Sequence, residues 1–344
     1  MPQTFISILE KISESENLSV NEASFALTEI VDGNVSNEQA AAFLFGMRMK
    51  GETVDELTEF VRVMRKAAIP VEVNTEGAVD LCGTGGDGSG TFNISTAAMF
   101  VAAGAGVPVL KHGNRSISSK CGSADVLEIL GAKANLQKKE IEAVYNETGM
   151  AFMFAPNFHP AMKYIMPARK ALKMRTFFNM LGPLLNPAGV KRQVIGAFSR
   201  DAAADMIRIL SNLGSEKAIT VSSLDGLDEV SLSDATHVFS MNGNREISTS
   251  VFNPETLGFK MAGMNELKGG DSDTNAEILK AVLENKAGNA KKNIVVLNAA
   301  FAITVSGLTD HLKEAVQLAD DSIQSGNALK KLNDFITATN EVLS

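Results

Sequence analysis

Five glycines lie between residues 83 and 90, in the stretch DLCGTGGDGSGTFNIST (residues 80–96). The apolar run before this loop predicts a strand and the run after it predicts a helix, so we expect the loop at the carboxyl edge of a parallel sheet, where open α/β folds bind ligands. Bare backbone amides and a helix N-terminus favour phosphate. Asn93, Ser95 and Thr96 add donors there, whereas Asp87 would repel phosphate unless a cation such as Mg²⁺ lay between them.

Other interpretations of the glycine loop fit less well. Gly83, Gly85 and Gly88 formally match the dinucleotide pattern GxGxxG. A dinucleotide fold, however, has an acid after its second strand that binds the ribose hydroxyls, and the second predicted strand here ends instead in KHGNR (residues 111–115). No Gly-Lys-Ser/Thr sequence follows the glycines, which argues against a Walker loop. A tight turn without a ligand would need far fewer glycines.

A second loop, in KHGNRSISSKCGSADVLEILG (residues 111–131), repeats this arrangement. Cationic and hydroxyl side chains precede a predicted helix: Lys111, Arg115, Ser118, Ser119 and Lys120. Ser123 is expected to cap that helix, and His112 gains interest from its place in the loop. Two such loops side by side would suit a ligand that carries phosphates at both ends of a sugar.

Carboxylates follow another predicted strand, in VSSLDGLDEVSL (residues 221–232). Asp225, Asp228 and Glu229 could form a solvated turn. Their place after a strand, in a chain with two phosphate-type loops, favours a magnesium site that is completed by diphosphate oxygens and water. Asp228 and Glu229 are the preferred ligands.

The first seventy residues predict a helical unit. Its capping boxes pair Ser19 with Glu22, Ser36 with Gln39 and Thr53 with Glu56. Stop signals at Gly33, Gly51 and Pro70 agree with these starts.

From residue 73 onward, short apolar runs alternate with helical stretches. AVDLC, STAAMFVAAGAG, VPVLKH and SADVLEILGA predict a strand, helix, strand and helix, and we group the later VIGAF, AITVSS and NIVVLNAAFAI with this parallel α/β pattern. Residues 165–188 are expected to return to the helical domain, with Pro183 and Pro187 ending a helix. The predicted domains are therefore residues 1–72 and 165–188, mainly helical, and residues 73–164 and 189–344, an α/β domain with a mostly parallel central sheet flanked by helices.

Composition narrows the function classes. The 344 residues carry a net charge of −8, which argues against a nucleic-acid partner. The N-terminus lacks the basic region of a secretory signal, and the longest apolar run is too short and glycine-rich to span a membrane. Cys82 and Cys121 have no metal-type spacing and read as packing residues. We therefore expect a cytoplasmic enzyme with no membrane partner.

Four motifs in order resemble the anthranilate phosphoribosyltransferases: GTGGDGSGTFNIST, KHGNRSISSKCGSADVLEILG, HPAMKYIMPARKALKMRTFFNMLGPLLNPAG and DGLDE. The resemblance runs from about residue 5 to the end and includes PETLGF, LKGGD and VLNAAFAITVSG. It implies the fold of pyrimidine nucleoside phosphorylases and a helical domain that forms a homodimer, and it leaves association with an anthranilate synthase open. It also implies Mg²⁺-dependent transfer of phosphoribosyl from 5-phosphoribosyl 1-diphosphate (PRPP) to anthranilate in tryptophan synthesis, with two ions per active site.

The resemblance assigns site residues position by position. For PRPP these are Gly83, Gly86, Asp87, Thr91, Asn93, Ile94, Ser95, Thr96, Lys111, His112, Gly113, Asn114, Arg115, Ser116, Ile117, Ser118, Ser119 and Ser123. For anthranilate they are Gly83, Asn114 and Arg169, and for Mg²⁺ they are Ser95, Asp228 and Glu229. No general base is assigned, with His112 the one candidate.

Arg169 comes from the resemblance alone, although a guanidinium suits a benzoate carboxylate. Lys173 departs from the family pattern, which commonly has glycine there, and this puts the local helix end in doubt. Two alternatives stay open. One is a nucleoside phosphorylase of the same fold, and the other is a catalytically silent relative that binds nucleic acid.

Overall fold

The computed structural model describes residues 3–115 and 121–342. The N-terminal part is helical, as predicted, and each of the three predicted capping boxes is present, at Ser19, Ser36 and Thr53. Thr4 caps the first helix in the same way. The four helices are α1 (Phe5–Ser13), α2 (Val20–Val31), α3 (Asn37–Lys50) and α4 (Val54–Lys66).

A seven-stranded sheet forms the centre of the remaining chain. Its strands are β1 (Val79–Gly83), β2 (Val109–Gly113), β3 (Met150–Phe154), β4 (Arg192–Gly196), β5 (Lys217–Ser223), β6 (Thr236–Met241) and β7 (Ile247–Phe252). The strand order is β3-β2-β1-β4-β5-β6-β7. The first five strands in that order run parallel, and β6 and β7 are antiparallel additions at one edge. The predicted mostly parallel sheet is confirmed.

Most of the remaining helices flank this sheet and cover its apolar side chains. In chain order the remaining helices are α5 (Ile94–Gly104), α6 (Ser123–Ile129), α7 (Lys138–Thr148), α8 (Ala155–Phe158), α9 (Met162–Leu172), α10 (Phe178–Leu181), α11 (Arg200–Asn212), α12 (Ser272–Leu283), α13 (Asn289–Ser306), α14 (Leu312–Gln324) and α15 (Asn327–Glu341). Helix α9 packs instead against α2 and α3. None of the helices in the described ranges is both long and apolar enough to cross a membrane.

The run NIVVLNAAFAI, which we grouped with the strands, lies inside helix α13. Nearly every residue of α13 from Ile294 to Val305 is buried. A helix that is buried on all sides has no polar stripe, so its pattern cannot be told from that of a buried strand. Its length of 18 residues is the signal that favours a helix.

The segment 165–188 is not one continuous helix. Helix α9 contains Pro167 and ends at Leu172, and Lys173 follows in the left-handed conformation with φ of 51°. Glycine adopts that conformation without a Cβ clash, whereas a lysine there is strained. A 3-10 turn, Gly182–Leu184, then contains Pro183.

Two apolar cores hold the chain together. Ile165, Ala168 and Leu181 pack in one core with buried side chains of α1 to α4, and α11 belongs to that core too. The other core joins the sheet to α5 and the C-terminal helices. The packing of the 165–188 segment supports its place with the helical domain, and the domain boundaries stay a prediction.

Candidate active site

A cavity of about 490 Å³ opens at the carboxyl edge of the sheet. It is bordered by the ends of β1 and β2 and by the loop that follows β5. All predicted site residues within the described ranges line it: Gly83, Gly86, Asp87, Thr91, Asn93, Ile94, Ser95, Thr96, Lys111, His112, Gly113, Asn114, Arg115, Ser123, Arg169, Asp228 and Glu229. Ser116, Ile117, Ser118 and Ser119 lie outside the described residues. Segments far apart in the chain therefore meet in one site, although the role of each residue stays a prediction.

The glycine loop, residues 83–90, needs its bare backbone for two reasons. Gly85, Gly86, Gly88 and Gly90 have positive φ, between 65° and 73°, which lets successive amides turn. Gly83 instead gives room to an acid, because a Cβ there would clash with Asp228 Oδ2. Glycine at position 83 therefore leaves room for the acid behind the loop.

Asp228 and Glu229 are half-buried behind the glycine loop. Asp228 Oδ2 accepts a hydrogen bond from the Gly85 amide at 2.6 Å, and Glu229 Oε1 accepts one from the Ser95 amide at 3.1 Å. Burial raises the pKa of both carboxyl groups, and the charge of Asp87 raises the pKa of Asp228 further. Carboxyl groups that are crowded together and half-buried favour a bound cation, because a cation would stabilise their ionised forms.

Lys111 is the cation nearest to these acids, and it is buried. Its ammonium donates to the Leu81 carbonyl and, at 3.2 Å, to Ser95 Oγ. Asp80 supports the same region from below, since its carboxylate accepts from the His112 amide at 3.1 Å and from Asn186 Nδ2 at 2.8 Å. The Lys111 and Asp80 side chains therefore link β1 to β2 by hydrogen bonds beneath the cavity.

The start of α5 uses some of its polar groups on the protein itself. The Asn93 side chain donates to the Cys121 carbonyl at 3.3 Å and accepts from Asn275 Nδ2 at 3.1 Å. It makes no side-chain cap at the helix start. Asn93 therefore joins the loop to α12.

The second loop differs in detail from the prediction. Ser123 does not cap α6: Gly122 is the N-cap, its amide donates to Asp125 Oδ2 at 2.8 Å, and the Ser123 hydroxyl donates to the Asn114 carbonyl at 3.2 Å. The carboxylate at the third position of the helix takes the place of the hydroxyl at the cap. Arg115 forms ion pairs with Asp125 at 3.0 Å and Glu128 at 2.6 Å, so its guanidinium is partly neutralised.

Arg169 lies on α9 at the other side of the cavity and is half-buried. Its guanidinium lies 5.4 Å from the Phe178 ring centroid, and among the residues that the structure describes no carboxylate forms an ion pair with it. Burial lowers its pKa. Ala155, Phe178, Gly182 and Pro183 line the cavity around it. A cation beside apolar and aromatic surface suits an aromatic acid.

His159, which the sequence reasoning missed, is paired with His112. Their Nε2 atoms are 3.3 Å apart, and both rings are buried. Since one nitrogen must donate and the other accept, only one ring of the pair carries its proton on Nε2. Burial lowers the pKa of His112 well below 6.5, with the charge of His159 as a further cause, and burial lowers the pKa of His159 to about 4. Both rings are neutral near pH 7.

This histidine pair predicts acid lability. Between pH 6.5 and about 4, the unfolded chain binds a proton at His159 that the folded chain does not, so the free energy of unfolding falls as pH is lowered through that range. His159→Gln should reduce the fall between pH 7 and pH 5 by about 2 kcal/mol, as expected for one shifted histidine. Urea unfolding at both pH values measures this, with the exposed His311→Gln as control. Equal pH dependence in the two variants would contradict it.

A larger cavity, about 860 Å³, opens at the opposite end of β4 and β5. Its two cations are each paired with an acid, Arg192 with Glu216 and Lys217 with Asp310. The carboxyl-edge cavity offers the stronger set of uncompensated charges.

Comparison with known proteins places the chain in a family. Residues 75–329 match the a/b domain of a glycosyl transferase family, and residues 6–68 match the helical bundle domain of a glycosyl transferase family. The anthranilate phosphoribosyltransferase of Salinibacter ruber is 46% identical, covering 98% of this chain and 99% of the relative. That of Alkaliphilus metalliredigens is 44% identical, covering 97% and 98%.

Solved structures agree with this match. The anthranilate phosphoribosyltransferase of Thermus thermophilus is 36% identical, with a TM-score of 0.90 over 97% of this chain and 99% of that one. The Saccharomyces cerevisiae enzyme in complex with PRPP and Mg is 27% identical, with a TM-score of 0.90 over 99% of both chains. Given identity of this level over nearly the whole length, in sequence and in fold, this chain belongs to the anthranilate phosphoribosyltransferase family.

Proposed function

We propose that this protein transfers the phosphoribosyl group of PRPP to the amine of anthranilate, giving N-(5-phosphoribosyl)anthranilate and diphosphate in tryptophan biosynthesis. One observation carries the proposal: two phosphate-type loops, a pair of half-buried carboxylates and an arginine without an acidic partner among the described residues line the same cavity. The loops suit PRPP and the arginine suits a carboxylate. A single cavity can therefore hold both substrates in contact.

The diphosphate of PRPP is proposed to lie against the glycine loop and the start of α5. The amides of Asp87 and Gly90 have no acceptor among the described residues, so they remain available to phosphate oxygens. Lys111, His112, Gly113, Asn114, Arg115 and Ser123, together with Ser116 to Ser119, are proposed to hold the rest of the molecule. Arg115 would then exchange one acidic partner for a phosphate oxygen.

Anthranilate is proposed to bind between the Arg169 guanidinium and the backbone at Gly83, with Asn114 beside it. The carboxylate would accept from the guanidinium, and the ring would pack against Phe178 and Pro183. This arrangement aims the amine toward the sugar. Orientation of this kind replaces strong base catalysis, because a neutral aromatic amine is already nucleophilic.

Ser95, Asp228 and Glu229 are proposed as Mg²⁺ ligands. Mg²⁺ prefers oxygen donors, and these half-buried carboxyl groups have raised pKa values, which a bound cation would lower. Among residues 3–115 and 121–342, no three His, Cys, Asp or Glu side chains are grouped closely enough to hold a metal alone. Diphosphate oxygens and water would therefore complete the site. We propose two ions per active site, which Mn²⁺ equilibrium dialysis with PRPP present would count.

The reaction is a displacement at the anomeric carbon. The bond from that carbon to the amine nitrogen forms, the bond to the diphosphate oxygen breaks, and the electron pair leaves with diphosphate. Mg²⁺ supplies, when bound, positive charge that offsets the charge of the departing group. The loop amides and Lys111 stabilise the same charge. The amine then loses one proton. No general base is assigned: His112 is the one candidate, and its Nε2 is already paired with that of His159.

Anthranilate fluorescence tests the proposal. With PRPP and Mg²⁺ the signal should fall while diphosphate appears in equal amount, and omitting Mg²⁺ should stop both changes. If anthranilate persisted while PRPP still bound, the acceptor would be wrong. Cleavage of a pyrimidine nucleoside by inorganic phosphate in a parallel assay would support the phosphorylase alternative. A gel shift of DNA or RNA by the protein would support the alternative of a catalytically silent relative that binds nucleic acid.

We also propose that the protein is a homodimer through its helical domain. Ile6 on α1 and Phe45 and Met49 on α3 are 60%, 46% and 70% exposed. Phe45 and Met49 lie four residues apart, on the face of α3 opposite its buried residues, so they form an apolar surface that a partner copy would cover. A cytoplasmic location and association with an anthranilate synthase stay predictions.

Charges on this surface should give monomers. The double variant Phe45→Glu, Met49→Glu buries two carboxylates if the dimer forms, which costs far more than the apolar contact returns. Sedimentation velocity should show the mass of about one chain for this variant and of two for the wild type. Leu308→Glu, at an exposed position on a different part of the fold, is the control and should stay dimeric. A dimeric double variant would place the interface elsewhere.

A further inference from the structure

We propose that Arg175 and Lys268 are positioning residues that hold the glycine loop in its ligand-binding shape. This inference rests on the proposed function, since it gives the loop the task of binding the diphosphate of PRPP. Neither side chain belongs to the site residues described above. One precedes α10 and the other precedes α12, so the two anchors come from different parts of the chain.

Arg175 anchors the first half of the loop. Its Nη2 donates to the Gly86 carbonyl at 2.5 Å, and its guanidinium lies 4.6 Å from the Phe198 ring centroid. The Phe198 amide in turn donates to Thr84 Oγ1 at 3.1 Å. Arg175, Phe198 and the loop therefore form one connected group at the end of β4.

Lys268 anchors the second half. Its ammonium donates to the Ser89 carbonyl at 2.8 Å, and the next amide, of Gly269, donates to the Gly90 carbonyl at 2.9 Å. Lys268 also forms an antiparallel bridge with Thr91. A Cβ on Gly269 would lie 2.7 Å from the backbone of Phe92, so the chain runs as close to the loop as glycine allows.

These carbonyl contacts set the direction of the amides that follow. In a trans peptide the C=O and the N–H point in opposite directions. Because Arg175 holds the Gly86 carbonyl, the Asp87 N–H points away from Arg175. Because Lys268 holds the Ser89 carbonyl, the Gly90 N–H points away from Lys268. Both Asp87 and Gly90 line the cavity. Their amides, like those of Gly86 and Gly88, have no acceptor among the described residues.

Anchoring matters because the loop is rich in glycine. Four glycines with positive φ could adopt many other conformations, and ordering them on binding would reduce affinity. Side chains that hold the loop beforehand avoid that loss. Both anchors are exposed, so each contact alone is weak, and the two together should matter more than either.

The test uses Arg175→Gln, Lys268→Met and the double variant. Matched controls are Arg208→Gln on α11 and Lys286→Met after α12, whose side chains are 59% and 73% exposed. Calorimetry measures the Kd of PRPP with Mg²⁺. Separately, ¹⁵N relaxation in the ligand-free protein measures backbone order at Gly86, Asp87, Ser89 and Gly90, which a direct contact between these cations and the ligand would not change.

We expect the double variant to raise the Kd of PRPP about 30-fold, consistent with two exposed charge-assisted hydrogen bonds. The KM for anthranilate at saturating PRPP should change less than about twofold. Loop order parameters should fall from near 0.85 to below about 0.6, the range of flexible backbone. Arg175→Lys keeps a donor and should retain part of the affinity, and the controls should match the wild type.

Two results would overturn the inference. Unchanged PRPP affinity in the double variant is one. A raised Kd with an equally ordered loop is the other, since the cations would then act by contacting the ligand. If the wild type itself bound no PRPP, the proposed function would be wrong. That result is distinguishable from failure of the anchoring inference, because it is seen in the wild type and the other only in the variants.

Discussion

Converting Asp228 to Asn and Glu229 to Gln in one chain is expected to lower turnover by about 100-fold or more at limiting Mg²⁺. Each tenfold loss corresponds to about 1.4 kcal/mol of barrier. Removing the charge of both proposed Mg²⁺ ligands should take away several kcal/mol of charge stabilisation on the departing diphosphate. Initial rates from anthranilate fluorescence across a magnesium titration measure the effect. Part of the loss should be recovered as magnesium rises, because the ligand oxygens still bind the ion.

A loss of folding must be separated from this loss of function. The amides keep the shape of the side chains and remove the cost of burying ionised groups, so the unfolding temperature of the metal-free double variant should not drop. The exposed pair Glu216→Gln, Asp310→Asn is a matched control that should keep wild-type turnover. Turnover within a few-fold of wild type at low magnesium would remove Asp228 and Glu229 from the metal site.

Arg169→Ala is expected to raise the KM for anthranilate about 100-fold, with kcat and the KM for PRPP changed only a few-fold. A charge-assisted hydrogen bond in a half-buried site contributes about 1.5–3 kcal/mol, which corresponds to roughly ten- to hundredfold in binding. Because the proposed contact is to the carboxylate and not to the reacting amine, its loss should affect binding more than the chemical step. Steady-state kinetics with each substrate varied in turn separates the constants.

Aniline sharpens this prediction because it has the amine and lacks the carboxylate. Wild type should use aniline poorly, and Arg169→Ala should lose little further activity with it. Arg169→Lys keeps the charge without the two-point fork and should fall between wild type and alanine. Its exposed neighbour Lys170→Ala is the control. An Arg169→Ala enzyme with unchanged KM for anthranilate would refute the assignment.

Much of the local structure could be predicted because its causes lie within a few residues. Capping boxes at Ser19, Ser36 and Thr53 set helix starts through contacts three residues apart, and the confirmed helices begin there. The glycine loop was recognisable in the same way, from consecutive residues. Alternation of short strands and helices predicted the mostly parallel sheet, and four ordered motifs predicted the family.

Other features depend on contacts between distant segments. The all-round burial of α13, which hid its helical nature, follows from packing between the sheet and α14 and α5. The need for glycine at position 83 comes from Asp228, far along the chain, and the His112 pair needs His159. No local pattern encodes such approaches.

By itself, the sequence determined the helix starts, the phosphate-type loops, the succession of strands and helices, and the family. Only the tertiary structure decided which side chains surround those loops: that Arg169 has no acidic partner among the described residues, that Arg115 has two, and that Arg175 and Lys268 hold the glycine loop from outside. The physical reason is the sequence separation over which each kind of interaction acts. Propensity and capping act over three or four residues, whereas charge pairing and close approach depend on where the whole chain has folded.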